Sequence, residues 1–303
     1  MRALATLLAF LFAAPALAGE AVVVCHVGGP GTTKQAQPSL DRFLRHLEGV
    51  AGIEAGSLRG EYHTRAAACA EYVDREEPAL GVFDLATWLG QNDDWGLRPI
   101  AHFGKPKGER YHLLVRKGAY HDLESLRGAR LTSLYVGDND FTSRIVFGKR
   151  IDVKEHFDAH LARRALRAVR AVKRGKKDAA LVDHFTYQHL PEVDPEGELK
   201  ALFSSEGLPG LTLGQLEGRA TPMGQRVAGA LAKVCTGEGE ALCKAMQVES
   251  LVQANGSLMS RLQKRYDAGR VHLGDRVGPS RGSQPLGPAS NRARNVRNEN
   301  QKR

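Results

Sequence analysis

Two aspartates in this chain have positions from which a side chain can do chemistry. Asp84 and Asp183 each follow a short apolar run, residues 79–83 and 179–182, and so each is expected to stand at the carboxyl end of a strand. A carboxylate there can hold a ligand amine or hydroxyl, or it can simply cap the helix that follows. His184 adjoins the second of them. Four hydroxyls stand at the starts of predicted helices. Thr32 and Thr33 follow the glycine turn 28–31, and Thr142 and Ser143 follow the polar turn 137–140, which includes Asn139. Unpaired N–H groups and the helix dipole favour a polar or anionic group at such a point, while the same hydroxyls are also common caps.

Other chemistry is weaker on the page. Cys25-His26 offers a thiol beside a base, but neighbours on a strand point to opposite faces, so the two side chains diverge. His156 and His160 are four apart, a spacing that can clamp zinc from one helix face, yet the glutamate of the protease pattern and an obvious third ligand are missing. No Gly-x-Ser-x-Gly elbow, phosphate-binding P-loop or paired zinc-cysteine motif occurs. The sequence therefore predicts no catalytic residue, no metal site and no cofactor.

The elements that must position these residues alternate. A strand at 21–27 leads through the glycine turn to a helix with Leu40, Phe43, Leu44 and Leu47 on one face, and the strand-helix cycle recurs to residue 103. A second set has strands at 111–116, 130–136, 179–182 and 199–203, a short helix at 141–147 and a long one at 154–173. The apolar stripe of that long helix is Leu161, Ala165, Ala168, Val169 and Val172, and Arg163, Arg167, Arg170 and Arg174 face away from it. Helical patterns at 224–233 and 248–266 follow. This is an α/β chain with mostly parallel sheets flanked by helices.

The 303 residues carry a formal charge of +9, which invites a nucleic-acid reading until it is located. From Gly269 onward there are eight Lys/Arg and two Asp/Glu, and Arg2 adds one more positive charge. The rest is close to neutral, so the basic balance describes a tail and not a binding groove. Residues 1–18 read as a cleavable export leader, with a basic start, a short apolar run and Ala16-Leu17-Ala18 before the cut. Export would place the four cysteines where disulfides persist. Cys235 and Cys243 are the favoured local pair, which leaves Cys25 to Cys69, although four cysteines permit three connectivities. The expected divisions are a leader at 1–18, one lobe from 19–115 and 205–267, a second from 116–204, and a disordered basic tail at 268–303.

The order of the pieces resembles the type II periplasmic solute-binding proteins, in particular the phosphate/phosphite/phosphonate branch that serves ABC importers. The resemblance rests on Gly-Pro-Gly-Thr-Thr-Lys-Gln-Ala at 29–36, and on Tyr-His-Leu-Leu-Val-Arg-Lys-Gly at 111–118 with Leu-Glu-Ser-Leu-Arg-Gly-Ala-Arg-Leu at 123–131. It rests also on the run from Ala168 to Asp183 and on Ser-Ser-Glu-Gly-Leu-Pro-Gly at 204–210. It implies two lobes joined by two crossing strands, which close on a small polar or anionic, phosphonate-like ligand held for a membrane permease. Thr32, Thr33, Asp84, Asn139, Thr142, Ser143, Asp183 and His184 would contact that ligand. It implies a periplasmic protein that is not an enzyme, binds no nucleic acid and is not embedded in the membrane. Two other readings stand beside it: a ligand-sensing subunit of a signalling system, or an enzyme on the same scaffold with Asp84, Asp183 or His184 as acid or base.

Overall fold

A computed structural model describes residues 19–104, 108–219, 221–246, 248 and 250–269. The expected leader and the basic segment from 270 onward lie outside the described residues. In chain order the first elements are β1 (Glu20–Cys25), α1 (Thr33–Ala51), β2 (Leu58–His63), α2 (Ala66–Glu76), β3 (Leu80–Phe83), α3 (Leu85–Trp95) and β4 (Arg98–Phe103). A second group follows: β5 (His112–Arg116), β6 (Arg130–Ser133), α4 (Val153–His156), β7 (Asp158–Leu161), α5 (Ala165–Lys173), β8 (Ala179–Val182), α6 (His184–Gln188), α7 (Leu190–Val193) and β9 (Leu199–Ser204). The chain then returns to the first group through β10 (Thr212–Gln215), α8 (Pro222–Val234), α9 (Gly239–Ala245), β11 (Leu251–Gln253) and α10 (Gly256–Asp267).

These strands form two sheets, ordered β11-β4-β10-β3-β1-β2 and β7-β6-β8-β5-β9. Strands that are followed by a covering helix pair in parallel, β1 with β2 and β3 and β6 with β7 and β8. The expectation of parallel pairing holds for them. The strands that carry the chain between the sheets run the other way, so β10 pairs antiparallel with β3 and β4, and β5 with β8 and β9. Each sheet is therefore mixed. Next to the crossings, Glu109 and Leu208 form an antiparallel bridge, each N–H donating to the other's carbonyl at 2.7 and 2.8 Å.

Local chemistry starts the helices where the sequence places them. Thr32 accepts from the Gln35 N–H to cap α1, Asp84 caps α3, Asp183 caps α6 and Thr221 caps α8. At the far end of α1 the buried Glu48 accepts from the N–H groups of Gly56 and Leu58 at 3.0 and 2.7 Å. Burial alone would raise its pKa. Those two amides and the Arg45 guanidinium more than offset that, and the carboxyl is held below its usual range.

Two predicted helices are broken by tertiary pairing. Over 154–173 the chain makes α4, then the edge strand β7, then α5, because Phe157 turns extended and 158–161 pair in register with β6. Leu161, expected in the apolar stripe, is 68% exposed on that strand, while Ala165, Ala168, Val169 and Val172 are buried as expected. The pattern over 248–266 likewise divides into β11, paired with β4, and α10, capped by Asn255. A strand partner wins over helical spacing in both places.

The first sheet has a core on each face. Val22, Leu80, Val82 and Leu213 meet Leu40, Phe43, Leu44 and Leu47 of α1 and Val227, Leu231 and Val234 of α8. The opposite face, with Val23, Cys25 and Phe83, meets Tyr72 and Val73 of α2 and Leu85, Trp88 and Leu89 of α3. Cys25 is bonded to Cys69, which ties β1 to α2, and Cys235 to Cys243, which ties the end of α8 to α9. The α carbons stand 5.7 and 5.6 Å apart, within the ordinary range for a disulfide. From the last helix, Tyr266 reaches across to the second group and donates to Asp138 at 2.7 Å, and Arg265 donates to the carbonyl of Ile145.

Candidate functional site

The carboxyl ends of β3 and β8 bring Asp84 and Asp183 to one cavity of about 500 Å³. The tip of the glycine turn and the first turns of α1 line it with Pro30, Gly31 and Gln35, and α6 contributes His184 and Phe185. His26 lies just beyond β1 and enters the cavity, while Cys25 beside it is fully buried in the opposite core, so the divergence expected of strand neighbours is realised. Three phenols complete the polar end: Tyr62 from β2, Tyr111 from the crossing before β5, and Tyr135 beyond β6.

Both aspartates cap helices and face the cavity at once. Asp84 accepts from the N–H and hydroxyl of Thr87 and from the N–H of Val27, all at 2.9 Å. It thereby fixes the glycine turn to the end of β3. Asp183 accepts from the Thr186 N–H at 2.7 Å and from the Tyr135 hydroxyl at 3.1 Å. Burial, and then the charges of Asp84 and Asp183, push Tyr62, Tyr111 and Tyr135 above the ordinary phenol range, so all three stay protonated at neutral pH. Tyr62 donates to the Pro30 carbonyl at 3.2 Å. Behind His184, burial together with the His184 and Arg110 charges pushes His112 down to about 4, and its ring stacks on Tyr187 at 3.9 Å.

Other predicted positions have structural work instead. Thr32 is exposed at its cap, and Thr33 donates to the Tyr62 carbonyl at 2.7 Å. Thr142 is fully buried and donates to the Asp138 carbonyl at 2.9 Å. Ser143 donates to the Asn139 side chain and accepts from the Val153 N–H at 2.8 Å. Asn139 donates to Asp152 at 3.2 Å. This polar turn leads into a π-helical segment, Phe141–Val146, and its side chains are used to staple it to the start of α4. Neither Thr142, Ser143 nor Asn139 lines the cavity. His156 donates to the Leu123 carbonyl at 2.7 Å from α4 while His160 pairs with Asp158 on β7, so the helical zinc spacing does not exist. Asp194, Glu196 and Glu198 converge, but on the ammonium of Lys173. The three tyrosines and Phe185 were not singled out by sequence, and His26 was weighed only as a base beside Cys25. The available signal was that Tyr111 opens a predicted strand and His26 lies at the end of one.

The two groups of elements touch across this cavity. The His26 and Phe185 rings meet edge to face at 6.5 Å. Gly28 has φ +75, and a β carbon there would stand 2.0 Å from the Leu134 side chain. Gly28→Ala is expected to lose about 1–2 kcal/mol of stability from the left-handed backbone alone. It should also weaken ligand binding several-fold, because the methyl holds the glycine turn off Leu134; denaturant melts and titration of the same samples check both. Asp84→Asn places an NH₂ group against one of three donors, and is expected to cost about 2 kcal/mol, or roughly 4–8 °C in melting temperature.

No family model matches the chain, and no curated protein matches it in sequence. Solved structures do match in shape. XAC2383 from Xanthomonas citri, bound to ATP, superposes with a TM-score of 0.65 at 12% identity over 84% of this chain and 100% of that one. PhnD1 from Prochlorococcus marinus, in complex with methylphosphonate, gives 0.63 at 11% identity over 81% and 97%. A binding-protein component of an ABC phosphonate transporter from Pseudomonas aeruginosa gives 0.62 at 12% identity over 84% and 90%. The likeness extends over more than four fifths of this chain in all three. The chain has the type II periplasmic solute-binding fold. In open α/β sheets the carboxyl ends of strands are the usual place for a crevice, and Asp84 and Asp183 line one cavity there.

Proposed function

We propose that this protein is an exported solute receptor that captures a small polar ligand between two closing lobes and presents it to the permease of an ABC importer. The carrying observation is the cavity that Asp84 and Asp183 reach from opposite sheets. The leader at 1–18 directs export, and the two disulfides suit an oxidising compartment such as the periplasm. Among the described residues no helix is long and apolar enough to cross a membrane. The lobes are those built on the two sheets, and the crossings near Glu109 and Leu208 act as the hinge.

The charges favour an amine or hydroxyl over the phosphonate-like anion suggested by the resemblance. Among the described residues the mouth carries the carboxylates of Asp84 and Asp183, while the Arg110 guanidinium is turned to donate to the Ser205 carbonyl. An anion would meet like charge in a partly desolvated site. Solved neighbours of this fold include an ancestral arginine-binding protein bound to arginine and a periplasmic aliphatic sulphonate binding protein, so the scaffold accommodates either sign.

A thermal-shift panel of amines, amino acids, phosphonates and sulfonates tests the reading. A ligand at 100 times its dissociation constant adds about 2.7 kcal/mol to stability. The expected result is a shift with an amine-bearing compound that is recovered chemically unchanged. A shift followed by conversion of the compound would make the protein an enzyme and end the receptor reading.

A further inference from the structure

The cavity does not stop at the aspartates. It continues beneath α1 and α8 along the face of the first sheet, where its walls are apolar: Val24, Val82, Leu213, Leu40, Val227 and Leu231. Val24 shows that this arm is space and not merely core. It sits on β1, which has β2 on one side and β3 on the other, and Val22, two residues earlier on the same face, is buried in the core that α1 and α8 cover. Even so, Val24 is only half-buried. Its remaining accessible surface faces the cavity that it lines together with the buried side chains of α1 and α8.

Such a space needs an occupant. Water is held in a cavity by two to four polar partners, and these six walls offer none. An empty apolar void costs stability in proportion to its volume. Ligand sites of a few hundred cubic ångströms with apolar walls and a few convergent polar groups are the common form for organic guests. At the open end, a carboxylate pair and three protonated phenols supply those polar groups.

We infer that the ligand is an amphiphile, with a cationic or hydroxyl-bearing head between Asp84 and Asp183 and an alkyl or aryl tail in the arm beneath α1 and α8. This rests on the receptor reading and names the class of solute for the same site.

Primary n-alkylamines from ethylamine to decylamine, titrated below their micelle concentrations, test it. Octanoate and octylphosphonate serve as probes with the opposite head charge. Affinity is expected to rise about fourfold for each added methylene until the arm is full. Octylamine is expected to bind at least tenfold more tightly than either anion. Ala36→Phe, on the partly exposed surface of α1 where the arm begins, and Val227→Phe, deeper on α8, should each remove the chain-length gain. Should either variant fail to fold, the wild-type chain-length series decides alone.

The outcomes separate cleanly. Equal affinity for ethylamine and octylamine, both lost in Asp183→Asn, overturns the arm and leaves the receptor standing. A chain-length gain that neither phenylalanine reduces also overturns the arm, since the tail then lies elsewhere. Tighter binding of octylphosphonate than of octylamine overturns the head assignment. No binding of any probe overturns the amphiphile and counts against the receptor itself.

Discussion

Asp183→Asn is expected to lower affinity for an amine-headed ligand 10- to 100-fold while the protein melts within a degree or two of wild type. Asparagine caps a helix about as well as aspartate, so the bond from the Thr186 N–H survives and α6 keeps its start. The Tyr135 hydroxyl can still donate to the amide oxygen or turn to accept from the NH₂. What is lost is the charge. A charge-assisted hydrogen bond in a partly desolvated site contributes about 1.5–3 kcal/mol, which is the stated range of affinity. Isothermal titration beside a melting curve separates the two roles. Unchanged affinity for an identified ligand would take Asp183 out of the site and leave it a cap only.

Removing the Cys25–Cys69 bond is expected to cost about 4 kcal/mol, against about 2.5 kcal/mol for Cys235–Cys243. The difference follows from the loops closed, with sequence separations of 44 and 8. The first pair also lies in the core, with Cys25 and Cys69 at 0% and 1% exposure, so the double change Cys25→Ala with Cys69→Ala gives up packing as well as the constraint. Its consequence reaches the site, because His26 and the glycine turn continue directly from Cys25. Urea unfolding of each double variant and of the reduced wild type measures the costs, and mass mapping under non-reducing conditions identifies the pairs. Equal losses for the two double variants would contradict the loop argument.

The two predictions bear on different parts of function. The disulfide fixes the scaffold from which the glycine turn projects, and in the receptor proposed above Asp183 supplies the charge that a bound ligand would meet. A ligand shifts such an equilibrium only through contacts it makes differently in the two states. Asp84, with three donors of its own from the same sheet and its helix, serves the scaffold more than the ligand. That asymmetry between two aspartates with the same cap role is the reason Asp183 carries the larger expected effect on affinity.

Much of this was legible in the residues. Alternating apolar runs and amphipathic faces are local patterns, and they determined the strand-helix cycle, the α1 face of Leu40, Phe43, Leu44 and Leu47, and the placing of Asp84 and Asp183 at strand ends. Spacing favoured Cys235 with Cys243 but left three connectivities open, and the structure has that pair and Cys25 with Cys69. Partners far along the chain were not. Whether 158–161 join a helix or an edge strand depends on β6, and whether Thr142, Ser143 and Asn139 face a ligand depends on where Val153 and Asp152 come to rest. Hydroxyls at a helix start look the same in sequence whether they cap, staple or bind, because the hydrogen bond that distinguishes the roles is made to a residue the local pattern does not contain. The tyrosines and the apolar arm were decided only by tertiary structure, since a void is the space left over when distant elements pack and no single segment encodes it.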